Sequence, residues 1–193
     1  MSKIALTPNA SGTGTLTIAA PNTSTDRTIT LPDETGSIIT TGSSGKVIPS
    51  AALPAGSVLQ VVNSWSMTQE STTSTSFVAS SYIKASITPS SASSKVFVIV
   101  NGGGVYSQVN ASRLFTTIYR DGTTNLGDAN YGLSRQQVSA SYVQPISIHL
   151  LDSPSTTSST EYKVYFRCHD GNTVYLSFGD SGRTNITLME IAA

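Results

Sequence analysis

Charged residues are scarce in this chain of 193 residues, since Lys, Arg, Asp and Glu together make up 11% of it. Eleven basic and eleven acidic side chains give a formal net charge of zero. The chain therefore has no basic field that would attract a nucleic-acid backbone or an anionic membrane surface. Roughly 30% of the residues are Ser or Thr, which indicates a surface built from hydroxyl groups. We expect neither nucleic acid nor a membrane as a partner.

Cysteine and long apolar runs are nearly absent as well. The single cysteine, Cys168, excludes an intrachain disulfide, so packing and assembly must stabilise the fold. We interpret Cys168 as a small buried hydrophobic residue. The N-terminal residues lack the apolar run of a signal peptide or a membrane span. We therefore expect assembly in a reducing cytoplasm, without membrane insertion.

The residues that form catalytic and metal sites are also few. The two histidines, His149 and His169, do not have the spacing of a zinc site. An ion held on a symmetry axis by His169 and Asp170 of several copies remains an alternative. Most candidate carboxylates lie at predicted turns, and Asp121, Asp170 and Asp180 adjoin Gly or Ser there, where a carboxylate caps backbone amides. We predict a protein without enzymatic activity, without a metal ion and without a cofactor.

The first third of the chain has no aromatic residue, because all the Trp, Tyr and Phe residues lie at or after Trp65. Residues 15–18 and 28–31 nevertheless alternate Thr with Leu or Ile, as short strands do, and residues 37–40 are a weaker third copy. Such strands need a partner to cover their apolar side, and three parallel copies of the chain would form a thin shaft over residues 14–45. Its predicted core is Leu16, Ile18, Ile29, Leu31 and Ile38. A disordered leader rich in Ser and Thr is the alternative.

From Val58 onward the pattern changes to longer strands, after a neck at residues 46–60 that is rich in Pro and Gly. No segment keeps the apolar spacing of an amphipathic helix. Eight strands are predicted, at residues 58–62, 77–87, 95–100, 113–119, 145–151, 162–167, 173–177 and 185–191. We expect an all-β fold, an antiparallel β-sandwich of jelly-roll type, with hairpin turns at Asp121-Gly122 and Asp170-Gly171. The triple glycine at residues 102–104 predicts a bend or a close approach between subunits.

Two stretches, residues 105–114 and 126–143, do not fit a strand pattern. They are rich in Tyr, Asn, Gln and Arg, which combine flat rings with hydrogen-bonding groups and suit a sugar or a protein receptor. Loops of this kind commonly carry function. The candidate receptor-binding residues are Tyr106, Asn110, Tyr131, Arg135 and Gln136, with residues 126–137 as the best site. Trp65 is interpreted as a packing residue near the neck.

Several segments resemble a known family. GTLTIAAP at residues 14–21 and RTITLPDETG at residues 27–36 closely resemble shaft segments of tail-fibre proteins from phages of aquatic bacteria, including cyanophages. IKASITPSSASSKV at residues 83–96, LDSP at residues 151–154 and ITLMEI at residues 186–191 are similar to the distal domain that follows such shafts. Together these segments are spread over most of the chain.

The resemblance implies a homotrimer in the virion, with no ligand and no binding residue carried over. Residues 1–13 would attach to the phage tail or baseplate, residues 14–45 would form the shaft, residues 46–60 the neck, and residues 61–193 the distal host-binding sandwich. The expected function is attachment to a host-cell surface glycan or protein without catalysis. A purely architectural virion protein, such as a head fibre, a decoration protein or a baseplate connector, is the alternative.

Overall fold

The computed structural model describes residues 11–14, 24, 26, 53–179 and 182–193. The chain divides into two compact units, residues 1–43 and residues 44–193. The five predicted shaft-core residues, Leu16, Ile18, Ile29, Leu31 and Ile38, lie outside the described residues. The fold described below is therefore that of the second unit.

This unit is built from eleven strands and, within the described residues, contains no helix. No described segment forms a helix that is long and apolar enough to cross a membrane. The strands are β1 (Val58–Ser66), β2 (Glu70–Thr72), β3 (Val78–Ile87), β4 (Lys95–Ser107), β5 (Ser112–Arg120), β6 (Thr124–Asn125), β7 (Ser134–Val138), β8 (Gln144–Asp152), β9 (Thr160–Cys168), β10 (Val174–Leu176) and β11 (Thr184–Ile191).

Alternation of side chains places the core between two sheets. In β9 every second residue is buried, and the residues between them are partly exposed. β11 shows the same period of two. Because successive side chains of a strand point to opposite faces, one face of each strand lines the interior and the other faces outward. The interior is filled mainly by Ile, Val and Leu, with Tyr162 and Phe166 among its largest members.

The strand order is that of a jelly roll. Sheet A has the order β1-β11-β4-β10-β2, with β8 on the other side of β4, and sheet B has the order β3-β9-β5-β6, with β7 also on β5. All pairings are antiparallel, and they are nested: β1 pairs with β11, β3 with β9, β4 with β8 and β5 with β7. This is the arrangement of one long hairpin rolled into two sheets, so the predicted antiparallel sandwich is confirmed.

All eight predicted strands are present, and three short ones, β2, β6 and β7, were not predicted. β7 lies inside the stretch that was expected to be a loop. Its sequence is polar, so it lacks the alternation that marks a strand, and it forms because β5 offers an open edge to residues 134–138. β1 begins at Val58, within the range expected for the neck.

The triple glycine is a bend within β4, which continues through it to Ser107. Gly102 and Gly103 have φ of 89° and 54°, a conformation that favours glycine. A Cβ atom at Gly102 would clash with the carbonyl of Arg183, and one at Gly103 would clash with the side chain of Thr184. The bend that the sequence predicts is confirmed, and the close approach is to the adjacent β10–β11 segment of the same chain.

One of the two predicted hairpin turns is present. Asp121 and Gly122 both have positive φ, 51° and 69°, and the Thr123 N–H donates to the Arg120 carbonyl at 3.2 Å. The prediction of a hairpin at Asp170-Gly171 is wrong. The strands that this turn joins, β9 and β10, belong to different sheets, so the turn carries the chain across the sandwich.

An ion pair joins the two sheets at one end of the sandwich. Arg120 of sheet B contacts both carboxylate oxygens of Asp152 in sheet A, at 2.9 and 2.8 Å. The hydroxyl of Tyr162, also in sheet B, donates to Asp152 at 2.7 Å. Burial, followed by this hydrogen bond, raises the pKa of Tyr162 far above its ordinary value. Each polar group of this cluster is therefore paired, as burial requires.

Candidate functional site

The outer face of sheet B, the side turned away from sheet A, has a row of two arginines and an aromatic ring. Arg135 of β7 lies opposite Phe115 of β5, and Phe115 lies opposite Arg167 of β9. Residues paired in this way share one face of the sheet. The guanidinium of Arg167 lies over the Phe115 ring, 4.2 Å from its centroid. The row therefore spans three adjacent strands with a cation on each side of the ring.

The loop at residues 126–133 lies over this row. Its ends are fixed to β5, because the N–H groups of Leu126 and Leu133 donate to the carbonyls of Ile118 and Thr116 at 2.9 and 2.8 Å. At its tip, the ring of Tyr131 is 6.0 Å from the ring of Phe115. Tyr131 is 59% exposed, so one side of this ring packs on the sheet and much of the rest faces solvent.

Two features give the loop its shape. Asp128 accepts hydrogen bonds from the backbone N–H groups of Asn130 and Tyr131 at 2.8 and 2.7 Å, which caps the turn. Gly132 has φ of 67°, and a Cβ there would clash with the Thr116 backbone. The loop can approach β5 this closely because position 132 is a glycine.

Arg167 connects this loop to the segment before β3. One of its terminal nitrogens, Nη1, donates to the carbonyls of Thr75 and Cys168 at 3.1 and 3.2 Å, and the other, Nη2, donates to the carbonyl of Asn130. Its guanidinium also lies 5.4 Å from the centroid of the Phe77 ring. The side chain is thus held in place by two rings and three carbonyl groups.

A cleft of about 410 Å³ opens between these two segments. Its lining consists of Thr75, Ser76, Phe77, Tyr119, Ala129, Asn130 and Arg167. Tyr119 is stacked on Tyr165, with ring centroids 3.9 Å apart. The cleft, called the Arg167 cleft below, combines two aromatic rings, three hydroxyls, an amide and a guanidinium in one concave site.

The charges of this face are unbalanced. Within the part of the chain that the structure describes, the ion pairs join Lys84 and Lys163 to Glu161, and Arg120 to Asp152. Neither Arg135 nor Arg167 forms an ion pair with a described residue. The outer face of sheet B therefore carries unneutralised positive charge in a chain whose formal net charge is zero.

The acidic residues near this face have structural partners. Asp121 accepts a hydrogen bond from the Glu161 N–H at 2.9 Å, and Asp170 accepts one from the Ser112 hydroxyl at 3.0 Å. Burial acts to raise the pKa of Asp170, but hydrogen bonds from Asn172 and Ser112 outweigh it and lower the pKa below its ordinary value. These carboxylates cap backbone or hydroxyl groups.

Histidine, cysteine and the acidic residues do not form a metal centre in residues 53–179 and 182–193, where no cluster of three or more such residues exists. Cys168 is fully buried, as predicted, and its Sγ donates to the Thr73 and Ser74 carbonyls at 3.0 and 3.2 Å. His149 is exposed on the outer face of sheet A, where its ring is 6.1 Å from that of Phe97. His169 is exposed next to Phe115, at 5.9 Å.

The structure brings together two of the five predicted receptor-binding residues, Tyr131 and Arg135, which both adjoin Phe115. Tyr106 lies on the other sheet, stacked on Phe178 with centroids 4.1 Å apart. The side-chain oxygen of Asn110 accepts hydrogen bonds from Ser139 and Ala140. Gln136 points to the same side as Leu114 and donates to the Pro145 carbonyl at 2.8 Å.

Of the residues that line the Arg167 cleft, Ala129 and Asn130 lie in the predicted range 126–137, and the other five were not singled out from the sequence. A usable signal was present in the alternation of β5 and β9. Leu114, Thr116 and Ile118 of β5 are the inward residues, so Phe115 and Tyr119 must face outward. Two aromatic residues on an outward face are unusual enough to indicate a covering segment or a ligand. No local sequence pattern indicates that residues 75–77 supply the second wall of the cleft.

The outer face of sheet A is different in character. A row of apolar residues crosses all four of its main strands in register: Val61 of β1, Met189 of β11, Phe97 of β4 and Leu151 of β8. Val61 and Leu151 are 57% and 54% exposed. Trp65, on the same face, is half exposed, with the Arg183 guanidinium 4.0 Å from its ring centroid. This face has an apolar row that nothing in the described chain covers.

Comparison with known proteins gives a distant structural neighbour. No protein-family model matches the sequence, and no curated protein matches it. Among solved structures, the chain is similar to that of the VP2 subviral particle of infectious bursal disease virus, with a TM-score of 0.41 and 13% identity. The match covers 70% of this chain and 34% of that chain, so it spans about a third of the neighbour. We therefore infer the function from the residues and from the chemistry of the site.

Proposed function

We propose that the protein is a non-catalytic structural subunit of a virion, a phage tail-fibre protein whose sandwich attaches to a glycan on the host-cell surface. The observation that carries attachment is the Arg167 cleft. Sugar-binding sites need a flat ring for the apolar face of the sugar and several hydrogen-bonding groups for its hydroxyls. Tyr119 and Phe77 provide the rings, and Thr75, Ser76 and Asn130 provide the polar groups.

The cleft contains no carboxylate, which favours binding over hydrolysis. A glycosidase uses a pair of carboxyl groups on either side of the scissile bond. The residues that line the cleft include no Asp or Glu. The role of a tail fibre rests on the sequence resemblance of residues 14–36 and of three segments of the sandwich. The N-terminal residues would then dock on the tail or baseplate of a virion that assembles in the host cytoplasm.

Assembly as a homotrimer is part of the same proposal. The apolar row of Val61, Phe97, Leu151 and Met189 supports it, because monomeric proteins rarely expose a continuous apolar surface of several hundred Å². Four strands spaced at about 4.8 Å and eight residues at about 3.3 Å give a face of roughly 20 by 26 Å. This projected area of about 520 Å², which includes polar residues beside the row, is somewhat below the roughly 800 Å² that each partner contributes to a standard interface. The four residues of the row are uncharged, so the row itself adds no charge repulsion between identical copies.

Staining of cells with labelled full-length protein tests attachment. We expect it to bind some strains in a panel of aquatic bacteria and to lose binding after their surface polysaccharide is removed. The double variant Tyr131→Ala with Arg135→Ala should stain the same strains more weakly, because it removes the exposed ring and the cation beside Phe115. Staining that survives polysaccharide removal would contradict a glycan ligand.

A purely architectural virion protein is the second candidate, and the apolar row of sheet A is the observation that favours it. Immunogold labelling of intact particles separates the two. Gold at the distal end of a tail fibre supports attachment, whereas gold on the head or inside the baseplate supports the architectural role.

A further inference from the structure

We propose that the Arg167 cleft selects an anionic saccharide, with the guanidinium of Arg167 binding the carboxylate or another acidic group of a sugar. The inference rests on the proposed function, since it takes the cleft as the attachment site, and it adds the chemical class of the ligand. Three features of the cleft carry it: an uncompensated charge, unused donors and an aromatic setting that holds the cation in place.

The charge of Arg167 has no acidic partner in the described chain. Removing the charge of a guanidinium from water is costly unless a partner compensates it. Arg167 is partly buried, yet its three hydrogen bonds go to the neutral carbonyls of Thr75, Asn130 and Cys168. An anionic ligand in the cleft would neutralise this charge.

The hydrogen bonds of Arg167 leave two donors unused. A guanidinium has five N–H groups. Among the described residues, two of these bonds start from Nη1 and one from Nη2, so the Nε–H and one Nη2–H remain. Two donors are the number that a bidentate contact with a carboxylate uses, and such contacts are among the stronger hydrogen bonds in proteins.

The position of the guanidinium is fixed before any ligand binds. The rings of Phe115 and Phe77 lie 4.2 and 5.4 Å from it. A side chain held in this way loses little entropy on binding. Tyr119 lines the same cleft as Arg167, with its ring held in place by stacking on Tyr165. Arg135, on the other side of Phe115, adds positive potential on the same face.

Titration of the full-length protein with two matched oligosaccharides tests the inference. The probes are a galacturonic acid trimer and the same trimer with its carboxyl groups reduced to alcohols, followed by saturation-transfer NMR. We expect the acidic trimer to bind about tenfold or more tightly, the size of a charge-assisted hydrogen bond. Added salt should weaken only the acidic trimer. A hexose phosphate serves as a third probe, and its preference over the carboxylated trimer would support an anion site of phosphate type.

Two variants assign the effect to Arg167. Arg167→Lys keeps the charge but loses the planar fork, so it should reduce the preference for the acidic trimer. Lys95→Gln is the matched control, because it removes an exposed cation from sheet A, on the other side of the sandwich, and should leave the preference unchanged. A variant that fails to fold is recognised by its thermal unfolding curve. In that case the comparison of the acidic and reduced trimers on the wild-type protein still decides whether the ligand is anionic.

The outcomes distinguish this inference from the proposed function. Equal affinity for the acidic and reduced trimers overturns an anionic ligand and leaves attachment to a neutral glycan intact. Absence of binding by every probe, in a protein that still stains bacterial cells, also overturns the inference while attachment survives. Absence of both saccharide binding and cell staining overturns both.

Discussion

The two outer faces of the sandwich are made by the same alternation of residues and yet carry opposite chemistry. On sheet A the outward residues of four strands form the apolar row of Val61, Met189, Phe97 and Leu151. On sheet B the outward residues include Arg135, Phe115 and Arg167, covered in part by a loop. An apolar face without acidic residues suits contact with another copy, and a concave face with rings and cations suits a small polar ligand. The difference indicates a division between assembly and recognition.

The largest effect is expected from a charge placed in the apolar row. Leu151→Asp introduces an unpaired carboxylate that would be buried in each copy of the interface, which costs several kcal/mol. We expect the association of full-length chains to weaken by about 100-fold or more. Sedimentation over a dilution series measures it. The control is Ala79→Asp, which places the same charge on the outer face of sheet B; equal weakening by both variants would contradict the division between faces.

A substitution that strains the backbone of the loop over sheet B should give the next largest effect. Gly132→Ala forces a Cβ against the Thr116 backbone at positive φ, which costs about 2 to 4 kcal/mol. At about 2 to 4 °C per kcal/mol, we expect the melting temperature to fall by about 4 to 16 °C. Loop residues 126–133 should detach, and cell staining should fall with them. Gly56→Ala, also at positive φ but with open space around it, separates strain from steric clash.

Acidic pH should lower the stability of the fold by protonating Glu190. This buried residue of β11 accepts hydrogen bonds from Gln60 at 2.6 Å and from the Ser90 N–H and hydroxyl at 2.7 Å. Burial acts to raise the pKa of Glu190, but these hydrogen bonds outweigh it and lower the pKa below its ordinary value.

Because the folded-state pKa is the lower one, the stabilisation is complete above the unfolded-state value of about 4.3 and is lost as the pH falls through the folded-state pKa. The melting temperature of the wild type should therefore drop by a few degrees more than that of Glu190→Gln on acidification. If the melting temperatures of the two proteins fall equally with pH, protonation of Glu190 does not contribute to the loss of stability.

The smallest effect is expected at Tyr106, a residue that the sequence placed in the receptor site. Tyr106→Ala removes a ring that stacks on Phe178, on sheet A and away from the cleft. We expect cell staining and saccharide affinity to stay within about twofold of the wild type, because neither face of the cleft changes. A large loss of staining would place the receptor site on sheet A instead.

The sequence predicts the sandwich well because each main strand carries its own signal. β9 and β11 alternate buried and partly exposed residues along their whole length, so strand type and inward face follow from period two. β7 has no such signal, since it is polar and forms only because β5 has a free edge. The Asp170-Gly171 turn shows the same limit, because a turn pattern does not reveal which sheet receives the next strand.

The candidate site was predicted in part. Tyr131 and Arg135 could be selected because they stand in a long polar segment, where function is common. The Arg167 cleft could not, since residues 75–77 and 129–130 come from segments more than fifty positions apart and meet only through the fold. Gln136 and Asn110 were selected from the sequence but are not brought to the cleft. Their polar side chains form hydrogen bonds with backbone or hydroxyl groups of the same chain.

Binding of labelled protein to a strain that it stains, measured for the wild type and for Tyr119→Ala, tests the central claim most directly. Tyr119 lines the cleft and lies outside the apolar row, so its removal should leave the number of associated chains unchanged. The account predicts that the apparent affinity for cells falls by about tenfold or more, because each of several linked sites loses a stacking ring. Unchanged affinity in a variant that assembles normally would contradict attachment through the Arg167 cleft.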